Sequence, residues 1–151
     1  MIRLTNLADY GIVLMSHIAK SPKELHSAVC LAGETGIPAP TVSKILGTLS
    51  RDGLLTSHRG FKGGFCLSRE TREITIADII EAVDGPIALT NCIEDAPGDC
   101  CYESLCVMKP HWQVINDAVR KGLAEITLDE ISAPGSFPFD GEEEQRQVKS
   151  G

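Results

Sequence analysis

Six cysteines occur in this chain of 151 residues, and four of them, Cys92, Cys100, Cys101 and Cys106, crowd one segment with no helical or strand periodicity. Thiolates are soft ligands that suit zinc, copper(I) or iron–sulfur clusters. A structural zinc ribbon would show two close CxxC pairs, and this loop contains none. The wide spacings leave room for a body larger than a single ion. Cys100 and Cys101 are adjacent and would point different ways, so only one is expected to ligate directly. A metal cofactor is therefore the favoured reading, with a disulfide switch or plain surface thiols as alternatives. Glu94, Asp95 and Asp99 add no positive charge to offset a cluster, but the N-terminus of a helix opening near Pro110 could do so through its dipole. His111, five residues after Cys106, is the one histidine placed to reach such a group. His17, His26 and His58 read as structural or solvent-facing. Cys30 and Cys66 each lie between apolar neighbours and are expected to fill core space as small apolar groups.

A second chemistry is written earlier in the chain. Residues 41–52 read as a helix with an apolar face, Val42, Ile45, Leu46 and Leu49, and a polar, non-acidic face, Thr41, Ser43, Lys44, Thr48 and Arg51. Asp52 lies only at its far end. A helix of that width fits the major groove of B-DNA. Two short strands follow, at 54–58 and 65–68, around Arg59-Gly60-Phe61-Lys62-Gly63-Gly64. Glycines permit a tight hairpin and close approach to phosphates, while Arg59 and Lys62 bring charge to the backbone or the minor groove. The bland alternative is a generic helical hairpin followed by a β-turn.

Other elements must hold these two regions in place. Thr5 caps a first helix on which Leu7, Leu14, Met15 and Ile18 share a period, ending near Ser21–Pro22. A second helix spans about 27–35, with Gly36 at its C-terminal turn, and Pro38 and Pro40 restart the chain. Residues 74–76 lead into a helix to about Asp84. Pro110 opens a long helix to Ile126, about 25 Å at 1.5 Å per residue. Trp112, Ile115, Val119, Leu123 and Ile126 are placed on one stripe of it, too apolar to face water and suited to a homodimer interface. Thr127 caps a last short turn. The fold class is mainly α with a small β-wing, a winged helix-turn-helix plus a long dimerisation helix. The expected divisions are a DNA-binding domain over 1–85, a cysteine loop over 86–109, dimerisation and short terminal helices over 110–132, and an acidic, disordered tail over 133–151.

Net charge is −7, yet residues 1–72 carry nine basic and five acidic side chains, +4, and residues 73–151 carry five and sixteen, −11. A protein that presents one face to phosphates needs only a local positive field. The N-terminal segment MIRLTNLADYGIVLM has Asp9 inside its apolar stretch and no small-residue cleavage site. That composition, the absence of a membrane-length apolar run and the thiol usage predict a cytoplasmic protein. No nucleophile triad, phosphate loop or nucleotide fingerprint suggests an enzyme or a small-molecule substrate.

The start MIRLTNLADYGIVLM, the wing RGFKGGF, the segment ITIADIIEAVDG and the cysteine loop before a long helix together resemble the IscR/NsrR/RirA-type regulators over about residues 1–132. The nearest branch is that controlling SUF iron–sulfur assembly genes. The resemblance implies a homodimer bound to a double-stranded DNA operator, with an iron–sulfur cluster (2Fe–2S or 4Fe–4S) in the loop. It assigns Cys92, Cys100 and Cys106 as ligands, the five-residue second gap selecting Cys100 over Cys101. IscR-like members carry a histidine three residues past the last cysteine, where this chain has Lys109. NsrR-like members use an early aspartate from the other subunit, which matches Asp9. Asp9 in trans is thus favoured as fourth ligand, with His111 as the alternative and a plain ion pair of Asp9 as the non-ligand reading. Ser43 replaces an acidic specificity residue of IscR, so the operator sequence does not carry over. The function expected is transcription regulation, as a repressor of iron–sulfur assembly genes tuned by cluster or redox status. It has two rivals: a zinc- or thiol-responsive regulator on the same fold, and a cluster carrier that binds no DNA.

Overall fold

The computed structural model describes residues 2–91, 93 and 106–133. Helix α1 (Asn6–Lys20) starts at Thr5, whose hydroxyl accepts from the Ala8 N–H, and buries Leu14, Met15 and Ile18 completely. Helix α2 (Ala28–Thr35) is capped by Ser27 and stops at Gly36, which has a φ of 75°. That left-handed residue turns the chain sharply toward the next helix. Helix α3 (Ala39–Arg51) starts two residues earlier than its polar face suggested, with Pro38 as N-cap. Pro40 sits in its first turn, where a missing N–H costs no hydrogen bond. Val42, Ile45, Leu46 and Leu49 are all buried, as the period of the sequence required.

Strands β1 (Leu55–His58) and β2 (Gly64–Leu67) pair antiparallel, with Ser57 opposite Phe65 and His58 opposite Gly64. A third segment joins the hairpin. His26 and Phe65 exchange backbone hydrogen bonds of 2.9 and 2.8 Å, which ties the wing to the loop before α2. Gly64 permits this approach, since a Cβ there would stand 2.7 Å from the His26 carbonyl oxygen.

A 3-10 turn (Thr71–Glu73) precedes α4 (Ile76–Asp84), whose Thr75 and Asp78 form a reciprocal capping box. Helix α5 (Lys109–Glu125) carries the chain away, and α6 (Leu128–Ser132) brings it back. The return is firm. The Ile76 N–H donates to the Ile126 carbonyl and the Leu128 N–H to the Ile74 carbonyl, while Leu128 is fully buried in the core formed by α1, α3 and α4. The short terminal helix thus packs into the winged unit, although the sequence grouped it with α5. Among the described residues no helix is long and apolar enough to cross a membrane.

Candidate nucleic-acid interface and cysteine loop

Helix α3 and the β-hairpin together form the candidate interface. Ser43, Lys44 and Arg51 are exposed on α3, and Thr41 and Thr48 are half-exposed. Thr48 donates its hydroxyl proton to the Lys44 carbonyl at 3.0 Å and accepts from Arg51 at 3.3 Å, which holds the Arg51 guanidinium along the helix. Ser57 and Phe65 border the groove that runs beside Ser43, Lys44, Gly47, Ser50 and Arg51. The wing tip closes on a turn in which the Gly63 N–H donates to the Gly60 carbonyl at 2.9 Å. Arg59 and Lys62 are both exposed beside it.

The strand alternation corrects one sequence expectation. Phe65 and Leu67 pack against the core, so Cys66 between them faces the other way. It is half-buried, and its Sγ lies 3.6 Å from His58 Nε2 across the hairpin. Cys30 departs further from the apolar role expected of it. Helix α2 is only eight residues long and buries Leu31 alone, so Cys30, about 100° round the helix, is exposed. Its thiol lies 3.4 Å from Glu34 Oε1, and His17 Nδ1 lies 3.7 Å from Glu34 Oε2. The hydrogen bond to Glu34, and then that carboxylate's charge, push the Cys30 thiol above its usual range. This disfavours the reactive thiolate.

Of the cysteine loop, Cys106 is described and Cys92, Cys100 and Cys101 lie outside the described residues, as do Glu94, Asp95, Asp99 and the tail after 133. Both ends of the loop meet α5. Cys106 is half-buried, and its carbonyl accepts from the Lys109 N–H at 3.3 Å in the turn that opens the helix. At the other end Ile93, next to Cys92, is buried. Just upstream, Asn116 of α5 donates to the Ile87 carbonyl at 2.8 Å and accepts from the Leu89 N–H at 3.0 Å. Asn116 is 3% exposed and is the one buried polar side chain among the described residues. One turn further along α5, Arg120 grips Glu81 of α4 with two hydrogen bonds of 2.6 and 3.0 Å. The long helix therefore holds both the base of the cysteine loop and α4 of the winged unit. Asn116→Ala leaves an N–H and a carbonyl without their partner, and should lower stability by about 1–3 kcal/mol. A shift of the urea midpoint would measure it, and an unchanged midpoint would show that water replaces the amide fully.

Asp9 is exposed on the first turn of α1, and His111 is exposed on the first turn of α5. Among the described residues no group of three or more His, Cys, Asp or Glu side chains is placed to hold a metal ion. Among the described residues the candidate donors near the start of α5 within one subunit are Cys106 and His111. By residue type, the loop's thiols are soft donors of the kind that suit a thiolate-bound group.

Comparison with known proteins decides the broad class. The pattern of the Rrf2 family, described as an iron-dependent transcriptional regulator, matches residues 4–134. The chain belongs to the Rrf2 family. An HTH-type transcriptional regulator of Mycobacterium tuberculosis is 32% identical over 139 residues, covering 91% of this chain and 84% of the relative. The structure of CymR, the global cysteine regulator of B. subtilis, superposes with a TM-score of 0.70 at 26% identity, over 87% of this chain and 97% of that one. That of T. potens IscR gives 0.65 at 25% identity, over 86% and 85%. As an Rrf2 protein the chain is a DNA-binding transcription regulator with a winged-helix fold, and its relatives are regulators rather than enzymes.

Proposed function

We propose that this Rrf2 protein is a cytoplasmic homodimer, most simply a repressor, whose affinity for its operator follows an iron–sulfur cluster held by Cys92, Cys100 and Cys106. Its target genes on this reading are those of iron–sulfur cluster assembly. The observation that carries the reading is the attachment of both ends of the loop to α5, through Asn116 and through Cys106. A bound cluster supplies a rigid, redox-labile cross-link between the thiolates. Asn116 passes the position of the loop base to α5, and Arg120 passes that of α5 to α4. With one α5 per subunit facing its partner, this chain biases the spacing of the two α3 helices, so that two global states differ in operator affinity. Asp9 from the partner subunit, or His111 from the same one, completes the ligand set. The test is protein purified without oxygen. Brown colour, acid-labile sulfide and an operator affinity that changes on cluster loss are expected.

A second reading keeps the DNA-binding fold and replaces the cluster with zinc or thiol oxidation. It is favoured by the likeness to CymR, a cysteine regulator, at the higher TM-score of the two structures compared. Colourless, zinc-loaded protein with the same operator response would select it.

The interface separates two kinds of contact. Arg59 and Lys62 in the wing serve phosphates or the minor groove, while Ser43 and Lys44 on α3 face base edges, flanked by Thr41, Thr48 and Arg51. Arg59→Ala should weaken binding to operator and random duplexes alike, and reduce the log–log salt slope by roughly one for each phosphate it no longer neutralises. Substituting Ser43 or Lys44 should instead change operator preference, by about 1–3 kcal/mol for each good base pairing removed. Fluorescence anisotropy across a salt series reads both effects. Uniform weakening from the α3 changes, with random-sequence affinity intact in Arg59→Ala, would reverse the assignment.

A further inference from the structure

The wing carries one group that neither phosphate binding nor the fold uses. Phe61 is fully exposed, at 104% of its reference area. It sits at the tip in the Gly60–Gly63 turn, closed by the 2.9 Å hydrogen bond. Its neighbours within the tip are glycines and the cations Arg59 and Lys62, so the ring has no apolar surface on which to fold back. Phe65, four residues on, packs against the core and shows what an aromatic does here when a structural role exists. The tip is also braced. Strand β2, paired with β1, is pinned to His26 by two backbone hydrogen bonds at Phe65, so the ring is presented from a three-segment root and not from a free ribbon.

We propose that Phe61 is an apolar contact to the minor groove of duplex DNA, packed against its deoxyribose walls, with Arg59 and Lys62 meeting the phosphates on either side. The proposal deepens the DNA-binding reading and rests on it. A single exposed aromatic is ordinary on a protein surface. The charge around this one is what names its occupant. A minor groove about 6 Å wide has apolar sugar walls bordered by two lines of phosphate, and accepts apolar side chains presented beside cations. An acidic protein surface offers the phosphates' charge without the slot for the ring. The two contacts also differ in physical signature. Neutralising phosphates releases counterions and depends steeply on salt, whereas burying a ring between sugars does not.

The experiment compares the full-length wild type with Phe61→Ala, Phe61→Leu and Phe61→Trp, on a duplex of random sequence and on one selected by the protein from a random pool. Phe61→Ala should weaken binding to both by about tenfold per wing and leave the salt slope unchanged. Phe61→Leu should recover part of the loss. The emission that F61W adds to that of Trp112 should shift when duplex is added. An affinity for Phe61→Ala within about twofold of wild type overturns the proposal, and so does F61W emission that ignores saturating DNA. A reduced salt slope in Phe61→Ala overturns it as well, since the ring would then merely be steering the charges. Intact DNA binding in Phe61→Ala with lost repression in a purified transcription reaction would hand the ring to a protein partner instead. Failure of the wild type on every duplex is a separate outcome that removes the DNA-binding reading itself.

Discussion

Ile115→Asp is expected to convert the protein from a dimer to a monomer, with dimer affinity reduced by more than about a hundredfold. The cause lies in how α5 divides its faces. Asn116 and Arg120 define its inward side, and Leu123 packs against the core beside them. The stripe expected from the sequence is thereby split. Leu123 turns toward its own subunit, while Ile115 and Ile126 remain 41% exposed and Val114, which the stripe omitted, is 68% exposed. Met108 and Val107, at the start of the helix, extend the uncovered apolar surface. On the proposed homodimer reading, a second copy of the same face covers it by the isologous symmetry most homodimers use, so one substitution would place two unpaired carboxylates in the interface. Light scattering on Ile115→Asp, with Lys23→Asp on the exposed loop after α1 as control, checks this. Circular dichroism should show the winged unit still folded, since Ile115 contributes nothing to the buried core. A wild type that is already a well-folded monomer at micromolar concentration would defeat the dimer reading.

What could be read in advance divides along physical lines. Local rules worked where the partners were local. The apolar period of α3, the caps Thr5 and Thr127, and the glycine-rich hairpin all appear as expected, because each is fixed by residues within a few positions of one another. Contacts across long stretches of chain left no such trace. Asn116 in mid-helix carries no local signal of its role, because its partners lie 27 and 29 residues upstream. The His26–Phe65 bridge and the burial of Leu128 are of the same kind. The two isolated cysteines show a different failure. Apolar neighbours in sequence say nothing about which face a residue occupies. Strand alternation turns the Cys66 thiol away from its neighbours' side, while at Cys30 the 100° step separates the thiol from buried Leu31 and its other neighbour, Val29, is itself exposed. The ligand assignment in the loop rests on spacing and on family resemblance, so mutation is its proper test.

That test should give an all-or-none pattern. On the proposed cluster reading, Cys92→Ala, Cys100→Ala and Cys106→Ala should each abolish cluster absorption in protein prepared without oxygen, because each removes one of the three thiolate ligands. Cys101→Ala should leave the spectrum in place, since the five-residue gap implied by the family resemblance selects its neighbour Cys100. Loss in Cys101→Ala with retention in Cys100→Ala would reverse the choice between them. Cys30→Ala and Cys66→Ala, both in the winged unit and outside the loop, serve as controls that should keep the cluster. The fourth ligand is then decided by joining this experiment to the first. If Asp9 reaches the cluster from the partner subunit, Asp9→Ala and the monomeric Ile115→Asp variant should share one altered spectrum, because both take away the same carboxylate. If His111 fills the position, only His111→Ala should change the spectrum, and the monomer should keep it, since His111 and Cys106 lie on one chain at the start of α5. A cluster that survives all three changes unaltered would assign the fourth position to neither residue.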